Sequence, residues 1–360
     1  MKQWFNIAVL AVLVGLMACT KIENTPEQER AISYAVGSYA QATKATPLND
    51  PSGENITSFS SKAWLHTAEN PSGSLFFTET VSYDGTSQWL PSHEYYWPKN
   101  STNYINFVSW YDKNAALGSA NAPAVTETSI TWTNRTIVAD DNILVADKAW
   151  QQKANLSTYT AHSGTNGVPT LFRHMLAQVL FEVASSPVTE DDGTVTTVWA
   201  TELSNFVLHG VHTTGSLSLT TPGTSSTDPY TSEWTGSWEA STDPTTVVNI
   251  SGEGHALNET PYPVIPLRSV MPQEVSGIYI SFDYVIVTTS VNNADHDKTH
   301  VLRETMNSGD IYLSSFNGYN DDWVKNKKIT YTVNITAKSG AIAIVPTITT
   351  IDNTLTLNVE

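Results

Sequence analysis

The chain has 360 residues, of which 40% are hydrophobic and 15% are charged, so a buried core is expected in more than one domain. Its formal net charge of −17 opposes binding to nucleic acids and to anionic lipid headgroups, because both are negatively charged. We therefore expect no nucleic-acid partner, and any attachment to a membrane must be covalent or inserted.

Residues 1–18 are predicted to be a signal peptide. Lys2 gives a positive start, and residues 7–17 form an apolar run that is too short to span a bilayer. The run leads into Leu16-Met17-Ala18-Cys19, which resembles a bacterial lipobox and contains the only cysteine of the chain. We predict lipidation of Cys19 and delivery to the outer membrane, with residues 19–30 as a polar tether. The alternative is an ordinary signal peptide in which Cys19 has no role.

From residue 31 onwards, apolar and polar residues alternate with a period of two, which predicts strands. Ile32, Tyr34 and Val36 share one face of the first strand, and similar runs cover residues 179–183, 278–286 and 329–335. Turn sequences such as Asp84-Gly85 and Asp192-Gly193 separate such runs. The best helical candidate is a short piece around residues 149–159. The sequence therefore predicts an all-β protein made of β-sandwiches.

A polar, glycine-containing stretch at residues 163–167 marks a domain boundary near residue 168. We predict an N-terminal β-sandwich domain over residues 31–168 and a C-terminal β-sandwich domain over residues 169–360.

Several short motifs follow one another in a fixed order. They are Ile32-Ser33-Tyr34-Ala35-Val36, Tyr95-Tyr96-Trp97-Pro98, Ile105-Asn106-Phe107-Val108-Ser109-Trp110-Tyr111, Asp141-Asn142-Ile143-Leu144-Val145-Ala146, Phe172-Arg173-His174-Met175-Leu176, Met271-Pro272-Gln273 and Trp323-Val324-Lys325-Asn326. In this order the chain resembles the fimbrillin family, in its Mfa-like branch, of Bacteroidetes surface pili. The resemblance implies two tandem transthyretin-like Greek-key β-sandwich domains after a lipoprotein signal peptide.

The resemblance also implies a function. A subunit of this kind is exported as a lipoprotein, a trypsin-like protease then removes its first strand, and a strand from another subunit fills the groove. The implied partners are other fimbrial subunits, and the implied location is a fimbrium on the cell outer membrane; a host or bacterial surface receptor is a further candidate partner. The alternative is a monomeric, outer-membrane-anchored lipoprotein that acts as a glycan-binding protein or tip adhesin.

The residues of strand exchange can be assigned from sequence. Ile32, Tyr34 and Val36 form the strand to be displaced, which we expect at a sheet edge, where its removal exposes apolar side chains and unpaired backbone. Cleavage at Lys44 would release this strand, whereas cleavage at Arg30 would remove only the tether. If the strand were instead hydrogen-bonded on both flanks, a solitary anchored binder would be the better account.

The donor strand is predicted at the C-terminus. Ile342, Ile344 and Ile348 share one parity, and Leu355, Leu357 and Val359 share the other. Burying five such side chains would contribute on the order of 10 kcal/mol before the cost of ordering the chain. A mobile tail would favour a polymerising subunit, and a tail locked into its own sheet would favour a monomer or a terminal subunit.

Other chemistry is weakly indicated. Asp295, His296 and His300 resemble a metal cluster, but they fall in or beside a polar loop sequence, so we expect no metal and no cofactor. No catalytic motif is present, and we expect no enzyme activity and no catalytic residues. Trp234 and Trp238 lie in a stretch rich in glycine, serine and threonine, where exposed rings could stack on a sugar.

Overall fold

The computed structural model describes residues 31–38, 48–49, 55–86, 88–153, 167–221, 231–241, 243–248, 254–315 and 322–351. Over these ranges the chain is built from strands, and the one helical element in them is a 3-10 turn at Leu313–Ser315. The predicted all-β class is confirmed. No helix within the described ranges is both long and apolar enough to cross a membrane.

The strands of the first half of the chain are β1 (Tyr34–Ser38), β2 (Leu48–Asn49), β3 (Asn55–Ile56), β4 (Ser58–His66), β5 (Ser74–Tyr83), β6 (Trp89–Pro91), β7 (Tyr104–Asp112), β8 (Ala124–Val125), β9 (Ser129–Thr136), β10 (Ile143–Ala146), β11 (Lys148–Gln152) and β12 (Val168–His174). Those of the second half are β13 (Ala177–Ser186), β14 (Val188–Asp191), β15 (Val195–Val211), β16 (Thr214–Thr220), β17 (Thr231–Ser232), β18 (Thr235–Ala240), β19 (Thr245–Val248), β20 (His255–Ala256), β21 (Tyr262–Val270), β22 (Tyr279–Asn292), β23 (Asp295–Asn307), β24 (Ile311–Tyr312), β25 (Lys327–Thr336) and β26 (Ile342–Thr350).

The helix predicted around residues 149–159 is wrong over its described part, because residues 148–152 form β11. Ala149 packs into one core while Lys148 and Trp150 lie on the opposite face, which is the alternation of a strand. Pairing of β11 with β7 fixes this geometry.

The first sheet, here called the N-terminal sheet, has the order β10-β12-β1-β6-β5-β4-β7-β11-β17. It curls until β10 pairs with β7 as well as with β12, so the strands from β10 round to β7 form a closed ring. The ring encloses an apolar core to which β1 contributes Tyr34 and Val36, and to which Ile32, two residues before β1, also belongs. Closure leaves β1 flanked by neighbours, because a ring has no edge.

A second sheet, β18-β16-β9-β8, covers the outer face of β7 and β10. The core between them contains Trp110 and Val145 from the N-terminal sheet, and Trp132 and Leu217 from the covering sheet. Strands from both halves of the chain therefore build this layer.

The remaining strands form a sandwich around the second large core. One layer has the order β21-β13-β25-β26, and the other is the β14-β15-β22-β23 sheet, to which β19, β20 and β24 add short pairings. Ile280, Phe282 and Tyr284 of β22 alternate into this core, as the period of two in the sequence predicts.

The predicted boundary near residue 168 falls at the first residue of β12. That strand pairs with β1 and β10 in the N-terminal sheet, and the chain enters the C-terminal sandwich only at β13. Residues 214–220 of β16 then return to pair with β9. A division at residues 31–168 and 169–360 stays a prediction, and its second part includes strands that complete sheets of its first.

Candidate functional site

The candidate site is the place of the first strand in the N-terminal sheet. β1 pairs in parallel with β12 along its whole length, from Tyr34 opposite Val168 to Ser38 opposite Phe172. On its other flank it pairs with β6 at Tyr34 opposite Trp89, and Ile32 donates its backbone N–H to the carbonyl of Tyr95 at 2.7 Å. The strand therefore has hydrogen-bonded neighbours on both sides.

The prediction that the strand of Ile32, Tyr34 and Val36 lies at a sheet edge is wrong. Its physical reason is the closure of the ring, which brings β12 from more than a hundred residues downstream against β1. The two flanks are unequal, since β12 covers the full five residues of β1 and β6 covers mainly its start. Pairing on both flanks therefore favours a solitary anchored binder over a subunit that polymerises by exchange of this strand.

The inward face of β1 is the predicted one. Ile32, Tyr34 and Val36 are only 1%, 5% and 9% exposed and belong to the core inside the ring. The Tyr34 ring meets Phe59 and Phe107 edge-on, with centroids 5.5 and 5.8 Å away. Fully burying such side chains stabilises a fold by roughly 1.5–3 kcal/mol each. Loss of β1 would remove this stabilisation and leave an apolar slot in the sheet.

A small polar network lies at the bottom of this slot. The Tyr34 hydroxyl donates to Ser61 Oγ at 2.9 Å, and Ser109 donates to the same oxygen at 3.0 Å. Ser61 in turn donates to the carbonyl of Val108. Burial raises the pKa of the Tyr34 hydroxyl well above its ordinary value, because the phenolate would have no water around it. Burial keeps the tyrosine neutral, and the hydrogen bond to Ser61 orients its hydroxyl group.

Gly167 sets the approach of β12 to β1. A methyl group built on its Cα would lie 2.8 Å from the backbone nitrogen of Ala35 and 2.9 Å from the backbone carbon of Tyr34. The next residue, Val168, donates its N–H to the carbonyl of Ser33 at 2.8 Å. Only a residue without a side chain fits this approach. Sequence reasoning treated Gly167 as part of a domain boundary and missed this role, as it missed Ser61.

The predicted donor residues divide into two groups. Ile342, Ile344 and Ile348 lie in β26, which pairs with β25 from Ile342 to Thr350 and has no second neighbour in the described sheet. Ile342 and Ile344 pack against the C-terminal core, whereas Ile348 is 40% exposed. This segment is therefore paired within its own sheet, which favours a monomer or a terminal subunit.

The other predicted site residues lie outside the described residues. They are Cys19, Arg30, Lys44, Leu355, Leu357 and Val359. Lipidation, cleavage and the role of the final nine residues stay predictions.

The predicted sugar-binding role of Trp234 and Trp238 is wrong. Trp234 is 2% exposed and donates its indole N–H to the carbonyl of Ala146 at 2.9 Å. Trp238 is buried as well and donates to the carbonyl of Met175 at 2.9 Å. Both rings belong to the core under the covering sheet, and no ring face is left for a sugar.

The suggested metal residues Asp295, His296 and His300 all lie in β23. Asp295 forms an ion pair with Lys298, with Nζ and Oδ2 3.0 Å apart. Within the described ranges, no three His, Cys, Asp or Glu side chains come together in a way that could hold a metal ion.

By its fold, the chain is an all-β protein of stacked sheets whose N-terminal ring includes a short first strand. A family model described as fimbrillin-like matches residues 43–352, and the chain belongs to this family. The protein is therefore a fimbrial structural or adhesive subunit of a cell-surface fimbrium, where it associates with other fimbrial subunits, and its family is one of non-enzymatic structural proteins.

Several solved structures are similar to the chain. A putative cell adhesion protein from Bacteroides uniformis is 12% identical, with 90% of this chain and 99% of that one covered and a TM-score of 0.43. A fimbrial protein from Bacteroides vulgatus is 14% identical, with 81% and 92% covered and a TM-score of 0.47. A C-terminally truncated tip fimbrial protein from Porphyromonas gingivalis is 10% identical, with 85% and 97% covered and a TM-score of 0.36. Among curated proteins there is no match.

Proposed function

We propose that the protein is a fimbrial subunit that is exported as a lipoprotein and whose first strand is replaced, after proteolysis, by a strand from a neighbouring subunit. The observation that carries the proposal is the slot that β1 fills. Tyr34 and Val36 of this five-residue strand, together with Ile32 just before it, occupy the slot, with the polar network of Ser61 beneath. Cys19 would carry the lipid that delivers the precursor to the outer membrane.

Pairing on both flanks makes cleavage obligatory. An uncut β1 is held by β12 along its length, by β6 at its start and by three buried side chains, so spontaneous displacement is strongly disfavoured. A cut after Lys44 turns β1 into a short peptide with no covalent link to the ring, and such a peptide can dissociate. The empty slot then presents unpaired backbone on two sides, which an incoming strand can satisfy at once.

The donor is best assigned to residues 352–360. Using Ile342, Ile344 and Ile348 would require opening the ladder between β26 and β25, whereas residues after Ile351 follow the last described residue of that sheet. Leu355, Leu357 and Val359 repeat the alternate apolar spacing of Ile32, Tyr34 and Val36. The same spacing lets one strand replace another in the same pockets.

Limited proteolysis tests the proposal. The purified chain, cut by a trypsin-like protease, is expected to release a fragment ending at Lys44 and then to form an SDS-resistant ladder of multimers. Lys44→Gln should prevent both, while Arg30→Gln should prevent neither. Leu357→Asp should allow cleavage but abolish the ladder, because a carboxylate cannot enter the apolar slot.

A matched control uses the exposed residue of the neighbouring strand. Ile348→Asp changes an apolar side chain to the same carboxylate but leaves the proposed donor intact, so its ladder should equal that of the unaltered chain. Loss of the ladder in Ile348→Asp but not in Leu357→Asp would move the donor to β26. Absence of any ladder after complete cleavage would overturn strand exchange.

A second candidate is a terminal or solitary anchored adhesin that keeps its own strands. Two observations favour it. β1 is paired on both flanks, and residues 342–350 are paired within their own sheet. This candidate predicts that the cleaved chain stays monomeric, and that a peptide of residues 352–360 added in excess does not displace β1 from the slot.

A further inference from the structure

A buried polar cluster on the outer face of the N-terminal sheet has no part in strand exchange. It lies where β4, β7 and β11 run side by side, under the turn between β8 and β9. His66, Asn106 and Lys148 belong to these three strands in turn, and Glu127 reaches the cluster from the turn. The exposed fractions of the first three residues are 5%, 2% and 0%.

The amine of Lys148 has an unusual environment. Its Nζ has no hydrogen-bond partner, lies 3.7 Å from Glu127 Oε1 and sits 3.3 Å from the centre of the Trp150 ring. Burial lowers the pKa of this amine to about 7, although the nearby Glu127 carboxylate acts in the opposite direction. A large fraction of the amine is therefore neutral at physiological pH, and a neutral amine is a nucleophile.

The Asn106 side chain is held as an activated amide. Its Oδ1 accepts the backbone N–H of Gln151 at 2.7 Å, and its Nδ2 donates to Glu127 Oε1 at 2.5 Å. Gln151 adopts φ of +46° within a bulge of β11, and this strained backbone points the N–H at Oδ1. Such a donor stabilises negative charge that develops on the amide oxygen.

One mobile proton lies beside the amide nitrogen. His66 Nδ1 is 2.9 Å from the carbonyl of Pro71, which can only accept, so Nδ1 carries a hydrogen. His66 Nε2 is 2.9 Å from Glu127 Oε1, and this contact also needs a hydrogen, on the ring or on the carboxyl group. The pair therefore holds a proton within reach of Asn106 Nδ2, which lies 3.1 Å from Nε2.

We propose that Lys148 and Asn106 form an intramolecular isopeptide bond that ties β11 to β7. Glu127 Oε1 lies 2.5 Å from Asn106 Nδ2 and 3.7 Å from Lys148 Nζ, and the side chains of Lys148 and Asn106 share one face of adjacent strands. The bond would cross the bulge between Ala149 and Gln152, where the backbone ladder of these two strands is irregular. A covalent link there would hold the sheet under mechanical load.

The reaction balances without any other reactant. The Nζ lone pair attacks Asn106 Cγ, and the negative charge on Oδ1 is stabilised by the Gln151 N–H. The proton shared by Glu127 and His66 passes to Nδ2, a proton from Nζ replaces it, and the Cγ–Nδ2 bond breaks. One ammonia leaves, and the new bond is the amide between Nζ and Cγ.

The mass of the purified full chain tests the proposal directly. We expect an intact mass that is lower by one ammonia than the processed sequence requires. Trypsin should release the peptide that follows Lys99 joined to the one that follows Arg135, with no cut after Lys148. Lys148→Arg and Asn106→Ala should each restore the full mass, and Glu127→Gln should slow or abolish the loss.

Lys62 of β4 provides the matched control. It lies on the same face of the N-terminal sheet as Lys148, but its Nζ donates to the carbonyl of Val125 at 3.2 Å. Lys62→Arg should leave the ammonia loss and the joined peptides unchanged. An intact mass equal to that of the processed sequence would overturn the proposal. An ammonia loss in which the two tryptic peptides are recovered as separate linear species would also overturn it, since it would place the reaction elsewhere.

Discussion

The first strands of the two halves occupy equivalent places and differ in how firmly they are held. β1 lies between β12, in parallel, and β6, while β13 lies between β25, in parallel, and β21. The ladder of β13 with β25 runs from Gln178 to Ser186, and β21 covers its other flank from Ala177 to Val183. The ladder of β1 runs only from Tyr34 to Ser38, and β6 meets it at one position.

The inward-facing side chains also indicate that β13 is held more firmly than β1. Val179, Phe181 and Val183 are fully buried, and Phe181 stacks on Tyr331 with ring centres 4.6 Å apart. Tyr34 instead carries its hydroxyl into a serine network. The same topology thus yields one strand that is a permanent part of its core and one short strand that proteolysis could separate, as the proposed function requires.

The largest expected effect on stability comes from the C-terminal core around β13. Phe181→Ala removes a fully buried ring and should lower the free energy of unfolding by about 4 kcal/mol, measured by chemical denaturation. The loss should be the same before and after cleavage at Lys44. Tyr34→Ala should be costly in the uncut chain and have no effect on the cleaved chain once the fragment has left. A persistent effect of Tyr34→Ala after cleavage would show that β1 stays bound, and the two strands would then be alike.

The next effect concerns the closeness of β12 to β1. Gly167→Ala would place its methyl group within 3 Å of the backbone of Ala35, and the required shift should cost about 2 kcal/mol. Amide hydrogens of β1 should exchange faster with solvent, while those of β13 stay protected. Gly277→Ala is the control, because a methyl group there meets nothing within 4 Å. Equal acceleration in both strands would indicate a global rather than a local loosening.

A smaller effect concerns the Tyr34 hydroxyl. Tyr34→Phe should cost about 1 kcal/mol at neutral pH through the lost hydrogen bond to Ser61. The pKa of this tyrosine is raised in the folded state, so its contribution is fully present below pH 10, the ordinary value, and is lost as the pH rises towards the folded pKa. Tyr34→Phe should therefore flatten the alkaline fall in stability, measured by denaturation between pH 9 and 11. Tyr312→Phe, at a residue that is 43% exposed, is the control and should cost less than Tyr34→Phe at neutral pH.

Local pattern predicted the strands and their inward faces but not their neighbours. The alternation of Ile32, Tyr34 and Val36 is a property of the segment itself, and the structure buries those side chains. The parallel partner of β1 is β12, and no local signal specifies a pairing across so many residues. The sequence therefore predicted a strand with one apolar face and placed it wrongly at an edge.

The same limit explains the errors at single residues. Trp234 and Trp238 have polar neighbours in sequence, but their burial depends on the covering sheet packing over β7 and β10. Lys148 lies immediately before the segment that was the best helical candidate, and its amine is buried only because strands from distant parts of the chain surround it. At such positions, long-range packing rather than local composition determines burial and, for Lys148, the protonation state of the amine.

The smallest expected effect is at the edge of the last described strand. Ile348→Ala removes a side chain that is 40% exposed on β26, and it should change the free energy of unfolding by less than about 0.5 kcal/mol. Ile344→Ala, four residues earlier in the same strand, should cost more because Ile344 packs against the buried cluster. The two variants differ in position along one strand, so denaturation curves separate packing from pairing. If Ile348→Ala proved as costly as Ile344→Ala, the outer edge of β26 would be covered by something other than solvent, and residues 352–360 of the same chain would be the first segment to test by deletion.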